Sequence, residues 1–185
     1  MRARFCLVCG RRLALVREAG HVRRRCPACG FTHYVNPVPA AVALIERGQR
    51  LLLTRRARPP YPGTWGLPGG FLEGDEAPEA GLRRELREEL GVRMRRARLV
   101  GLARDRYGPK GFPVLTLIYR AAVAGTLRPG DDVSEARWFP RRRVPWRQIA
   151  FAGLRRLLRR AVGRSRRAGL SRGGDQRQVI PFSSS

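Results

Sequence analysis

The chain has 185 residues, 43% of them hydrophobic, and a formal charge of +25, which suits one ordinary domain with a small appendage. No apolar run approaches the roughly 18 residues of a membrane span, and the opening Met-Arg-Ala-Arg-Phe-Cys lacks the apolar core of a secretory signal, so a cytoplasmic location away from membranes is expected. Lysine and arginine number 39 against 14 acids, with Lys110 the sole lysine, a skew that reads as the habit of a high-GC genome before it reads as a nucleic-acid surface.

In chain order, cysteines come first: Cys6-x2-Cys9, then sixteen residues, then Cys26-x2-Cys29, with Gly10 and Gly30 after the pairs. This is zinc-ribbon spacing, because two intervening residues let both thiolates face one ion. The glycines are expected to let backbone N–H groups approach the sulfurs where a side chain would clash. Two disulfides are the competing pattern, disfavoured in a reducing compartment. Four thiolates close a tetrahedral site, which makes His21 and His33 bystanders. Residues 1–35 are therefore expected to form a small unit that folds around structural Zn²⁺.

From Asn36 the pattern changes. "VPAAVALIE" and "RLLLTRR", joined by the turn at residues 47–49, read as a β-hairpin. "PPYPGTWGLPGG" has too much proline and glycine for regular structure and reads as a loop. Helical periodicity begins near Glu76: Leu82, Leu86 and Leu90 recur every four residues, acids crowd the first turn, and Gly91 ends the run. "RLVGLARD", "PVLTLIYRAAV" and "ARWFP" follow as strands, and "IAFAGLRRLLRRAV" as a closing helix whose Leu154, Leu157, Leu158 and Ala161 face a core. Strands and helices mix without strict βαβ alternation, which predicts an α/β sandwich with a mixed sheet. Residues 163–185 are polar, basic and glycine-rich, and a disordered tail is the default.

Seven of the fourteen acids lie between Glu73 and Glu89. Glu85, Glu88 and Glu89 stand at i, i+3 and i+4, so three carboxylates project from one helix face, within about 6 Å of each other at Cβ. A solvated face would normally carry Lys or Arg four residues after Glu85, where Glu89 stands. A hard divalent cation relieves the repulsion, since Mg²⁺ takes carboxylate oxygens while keeping waters and substrate phosphates as its other ligands.

Gly70, five residues, Glu76, seven residues, then Arg84-Glu85-Leu86-Arg87-Glu88-Glu89-Leu90-Gly91-Val92 fills every defined position of the Nudix box. The chain thus resembles the Nudix hydrolases from about residue 36 to 162. With its ribbon it is similar to the subgroup that includes NADH, ADP-ribose and FAD pyrophosphatases. The Ser-Gln-Pro-Trp-Pro-Phe-Pro-x-Ser stretch of the NADH enzymes has no counterpart after Val92. The resemblance implies an α/β/α sandwich and a pyrophosphohydrolase that cuts a nucleoside diphosphate linked to another group, with Mg²⁺ or Mn²⁺ as cofactor. It implies Glu85, Glu88, Glu89 and the Gly69 carbonyl as metal ligands, Glu76 as an auxiliary carboxylate near the metals, Arg84 as an orienting residue, and a homodimer.

The general base varies within that family. Glu89 is the first choice, and Glu135 in "DDVSEARWF" the later candidate, ahead of Asp105, Asp131 and Asp132. Tyr61, Trp65 and Tyr107 fall in expected loops where a ring could stack on a base, with core packing favoured for Trp65. Phe112 and Trp138 are expected in the core, and Arg55 or Arg56 at a strand end could hold a phosphate. A different class of function is a nucleic-acid-binding or nucleotide-sensing regulator built on the ribbon and the basic surface. It gains nothing from an intact acidic set, so a small nucleotide is the expected partner and nucleic acid the less favoured one.

Overall fold

In the computed structural model residues 3–108 and 111–164 are described; the expectation for the tail from residue 165 onward lies outside the described residues. The first elements are short and polar: β1 (Ala14–Glu18), β2 (His21–Arg25) and β3 (Thr32–His33) make an antiparallel sheet of their own beside the cysteines.

The expected hairpin forms as β4 (Val38–Arg47) and β5 (Arg50–Arg56), turning at Gly48 with φ of 56°. Only its closed end pairs, through Glu46 with Leu51 and Arg47 with Arg50. Beyond that point the strands part and the Pro- and Gly-rich stretch enters the gap. There β6 (Trp65–Gly66) pairs with β5, and β7 (Gly69–Phe71) pairs antiparallel with Ala40 to Val42 of β4. The reading of this stretch as wholly irregular is thus corrected. Missing side chains are what let it pair: Gly69 has φ of 125°, and a Cβ there would stand 2.2 Å from the Ala41 carbonyl oxygen. Gly69→Ala is expected to unseat β7, costing at least about 2 kcal/mol, or roughly 4–8 °C in Tm for a chain of this size. Unchanged melting in that variant would show that β7 does not depend on the close approach.

The main sheet runs β10 (Val133–Pro140), β5, β4, β9 (Pro113–Ala124), β8 (Arg93–Arg106). It is mixed because β4 and β9 are parallel over Val38 to Ile45, while the other pairs are antiparallel. Apolar residues fill both faces of β4, as a strand covered on both sides requires. Val42 and Leu44 enter one core, and Ala41, Ala43 and Ile45 the other. Helix α1 (Pro78–Leu90) covers the second core with Leu82, Leu86 and Leu90, all fully buried and worth about 2 kcal/mol each. Helix α2 (Ala152–Arg164) covers the first core with Leu154, Leu158 and Val162. An α/β/α sandwich results. None of the helices among the described residues is long and apolar enough to cross a membrane.

Helix α1 starts at Pro78, whose missing N–H costs nothing in the first turn. No acid caps it: Ala77 takes the cap position without a side-chain bond, and Glu79 alone lies in the first turn. Gly91 ends it as expected, with φ of 65° and its N–H donated to the Arg87 carbonyl. Trp65 is buried edge-on against Phe139, while Trp138 is half-buried under the Arg47 guanidinium. Phe112, expected in the core, is 37% exposed and instead leans on Phe71 and Tyr107 beside the cleft described next.

Candidate active site and cysteine cluster

The parted hairpin leaves a cleft of about 400 Å³ at the inserted segment. Its lining brings together Gly69, Gly70, Glu85 and Glu89 with Arg55, Arg56 and Arg58, and with the rings of Phe71, Tyr107 and Phe151. The sheet register explains the first of these groups. Pairing with β4 drives Gly69 and Gly70 against α1, where the Gly69 N–H donates to Glu89 Oε2 at 2.8 Å. A Cβ on Gly70 would lie 2.6 Å from the Glu85 carboxylate, so these two glycines bring backbone and acids together.

Arg84 organises the acids. Its Nε and Nη2 donate to the two oxygens of Glu76 at 2.7 and 3.0 Å. Its Nη1 donates to Glu85 Oε1 at 2.8 Å and Glu88 Oε2 at 3.0 Å, and Nη2 also reaches the Phe71 carbonyl at 3.1 Å. The forked guanidinium alone has enough donors in one plane for this. Glu76, expected near the metals, has both oxygens on Arg84 and a further bond from the Glu73 N–H at 3.1 Å, and does not line the cleft. Glu88 is 58% exposed and also stands outside the lining.

Burial sets the electrostatics. Desolvation pushes Glu89 up to about 8, against the Gly69 N–H that favours its ionised form, and the Glu85 charge adds to the rise. Desolvation also raises Glu85, opposed by Arg84. The hydrogen bonds of Arg84 hold Glu76 below the usual carboxylate range. Two half-buried carboxylates lining one cleft are a hard-oxygen donor set that fits Mg²⁺ or Mn²⁺.

The other expected residues divide. Arg55 lines the cleft, with its Nε donating to the Gly63 carbonyl at 2.9 Å. Tyr107 lines it too, accepting a bond at 3.1 Å from Arg56, whose guanidinium lies 5.7 Å from the Tyr107 ring and 5.8 Å from that of Phe151. Tyr61 does not line the cleft and packs edge-on against Phe151 at 5.7 Å. Glu135, expected to swing in from a loop, lies within β10 at a register shift, pairs with Arg137 and with Arg55 at 3.9 Å, and is absent from the lining. Asp105 stands in β8, not in a turn, and accepts the Gly153 and Leu154 N–H groups at 2.7 and 2.9 Å, capping α2 from a neighbouring strand. Asp132 pairs with Arg58 at 2.9 Å at the rim. Sequence reasoning misses Arg58, Phe71 and Phe151, and among 39 basic residues no local signal separates Arg58 from the rest.

Cys6, Cys9, Cys26 and Cys29 gather with all four sulfurs within 4.8 Å of one another, and neither histidine joins them. The cysteines are free thiols. Such a set could hold one tetrahedral metal ion. Cys26 is held down at about 6 by the backbone N–H of Cys29, against desolvation, which favours the thiolate that a metal needs. The role expected of the two glycines is corrected. A Cβ on Gly10 or Gly30 would meet nothing within 4 Å, and their N–H groups bond the carbonyls of Cys6 and Cys26 at 3.0 Å each. Glycine is needed there for φ of 72° and 75°; the N–H groups that reach sulfurs belong to other residues, among them Val8, at 3.4 Å from Cys6 Sγ, and Cys29.

The fold and site together define an α/β/α sandwich whose acidic helix and a group of arginines line one cleft. The NUDIX domain profile matches residues 36–161, and the chain belongs to that family of hydrolases. It is similar to an ADP-ribose pyrophosphatase of Methanocaldococcus jannaschii, 33% identical over 120 residues, 64% of this chain and 69% of that protein. It is also similar to the NAD-capped RNA hydrolase NudC of Deinococcus radiodurans, 35% identical over 174 residues, 89% of this chain and 59% of that protein. The chain spans between 47% and 60% of the length of the NudC relatives it matches. Among solved structures, a NUDIX hydrolase from Nitrosomonas europaea superposes with a TM-score of 0.70 at 30% identity, covering 89% of this chain and 93% of that one.

Proposed function

We propose that this chain hydrolyses a nucleoside diphosphate linked to another moiety, of the kind found in ADP-ribose or in an NAD cap on RNA. The products are a nucleoside monophosphate and a phosphorylated remainder. The observation that supports this reading best is one cleft lined by both the carboxylates Glu85 and Glu89 with Gly69 and the guanidiniums of Arg55, Arg56 and Arg58. A diphosphate carries charge for both: its oxygens face the arginines directly and the carboxylates through a cation.

In this reading Mg²⁺ or Mn²⁺ is held by Glu85, Glu89 and the Gly69 carbonyl, with Glu88 at the exposed margin, and when bound it neutralises phosphate charge and acidifies water. Glu89 accepts the proton of the attacking water, whose oxygen bonds to phosphorus as the bond to the bridging oxygen breaks. Arg84 keeps Glu85 oriented and occupies Glu76. Tyr107 and Phe151, with centroids 6.1 Å apart and planes 16° from parallel, offer an aromatic platform for a base. Residues 36–162 constitute the hydrolase unit in this reading, and residues 1–35 a zinc ribbon in a reducing cytoplasm.

The test is a panel of ADP-ribose, NAD, NADH, FAD and NAD-capped RNA with Mg²⁺ or Mn²⁺, with Glu88→Gln and Glu89→Gln as controls. Turnover of at least one member, lost in Glu89→Gln, is expected. A folded, metal-supplied protein that turns over none of them sinks the proposal. For the ribbon, Cys26→Ser is expected to lower bound zinc from one equivalent to below about a tenth, and to expose residues 3–35 to proteolysis while the remainder stays folded. Unchanged zinc content would overturn that assignment.

A further inference from the structure

A second concavity, of about 450 Å³, lies on the main sheet and shares no lining residue with the cleft. Its lining is Arg96 and Arg98 of β8, Arg120 of β9 and Glu46 of β4, with Ala122 on the same face of β9, while Ala97 and Ala121 turn their side chains into the core under α1. Along β4, Val42 at the cleft stands four positions from Glu46 here, about 13 Å at roughly 3.3 Å per residue.

The strand register makes this concavity unusual. Arg98 and Arg120 are direct partners in the antiparallel β8–β9 ladder, and like charges placed opposite each other repel. Arg96 stands two residues along from Arg98, on the same face of β8. Glu46 is the one carboxylate in the lining, and it is already divided. Its Oε1 accepts from Arg141 at 2.6 Å, while its Oε2 lies 3.1 Å from Arg120 Nε, a buried atom left without a hydrogen bond of proper geometry. One carboxylate thus serves two guanidiniums, and among the described residues no carboxylate is paired with the exposed Arg96 or Arg98, beside which the small Ala122 leaves room for an anion. Planar guanidinium forks pair bidentately with the oxygens of a phosphate group.

We propose that Arg96, Arg98 and Arg120 form a phosphate-binding groove, separate from the cleft, that takes a ligand bearing several phosphate groups. The groove is independent of the reaction assigned to the cleft. Two sources share this chemistry, the phosphodiester backbone of single-stranded RNA and a free phosphate chain. Binding of a fluorescent uncapped RNA oligonucleotide, and separately of inorganic tripolyphosphate by calorimetry, would be measured on the full chain. Wild type would be compared with Arg96→Ser/Arg98→Ser and with Arg156→Ser/Arg160→Ser, which removes equal charge from the exposed side of α2.

The groove variant is expected to lose at least tenfold in affinity for one or both probes, and the helix variant less than twofold. For RNA, the slope of log K against log salt should also become shallower by about 1.4 in the groove variant. Dependence confined to RNA identifies a phosphodiester track, and dependence confined to tripolyphosphate identifies a phosphate-chain site. Equal losses in both variants, or none in either, would overturn the proposal by showing that the groove adds nothing to the general charge. Thermal melting checks that both variants are folded.

Discussion

Glu89→Gln is expected to lower kcat by about 10²–10⁴-fold, the range for losing a general base, with little change in KM and no loss of fold. The amide oxygen of glutamine can still accept the Gly69 N–H that Glu89 Oε2 accepts at 2.8 Å, so the change removes charge and basicity while keeping the anchor of the loop. The pH dependence separates this from a packing effect. Burial raises Glu89 to about 8 from an ordinary value of 4.5, so the metal-free folded state holds a proton there that the unfolded chain releases. The group costs nothing below about pH 4.5, and its penalty grows as pH rises to about 8.

The glutamine variant should lack that decline, and its melting temperature in a chelator should exceed wild type by a margin that widens from pH 5 to pH 8. Metal binding runs the other way, because a ligand carboxylate must be ionised. Wild-type Mn²⁺ affinity should climb between pH 6 and pH 8, and the variant should show a flatter curve. Parallel curves for the two proteins would remove Glu89 from the metal site and from the base role together.

Most of the large-scale organisation was legible because it follows from period and punctuation. Leu82, Leu86 and Leu90 recur with the helix, Gly91 stops it, and β4 is apolar on both faces because both are covered. The parting of the β4–β5 hairpin was not legible. Nothing in "PPYPGTWGLPGG" alternates, and its pairing with β4 rests on what Gly69 lacks and not on what any side chain supplies. Tertiary pairing of this kind overrides local composition.

At the site, spacing put Glu85 and Glu89 together because they share one helix, where four residues make neighbours. It failed for Glu135 and Asp105, whose partners lie 80 and 48 positions away in sequence, at Arg55 and Gly153. Arg58 and Phe151 enter the cleft from a loop and from the residue before α2, and only the closed fold brings them together. The glycines beside the cysteines were located correctly and explained wrongly, since their positive φ and not a clash requires them.

Arg84→Gln tests whether the acidic helix end is assembled by this one cation. The guanidinium makes five bonds, to Glu76, Glu85, Glu88 and the Phe71 carbonyl, and an amide can replace at most two of them. Without it, three acids repel one another at the mouth of the cleft and Phe71 loses its tie to α1. Turnover should fall by about 10²-fold, because a ligand carboxylate displaced by an ångström forfeits that much. Added Mn²⁺ should raise the melting temperature of the variant more than that of wild type, since the ion then takes over part of the neutralisation.

Arg84→Lys keeps the charge but not the fork, so it should recover most of the stability and little of the turnover. Acid sensitivity supplies the sign. Arg84 depresses Glu76, so this contribution is present above the ordinary value near 4.5 and is lost as pH falls through the depressed one. Wild type should therefore lose stability on acidification below pH 4.5 more steeply than Arg84→Gln. If the lysine variant recovered full turnover, charge alone would suffice and the geometric role assigned to the fork would fall.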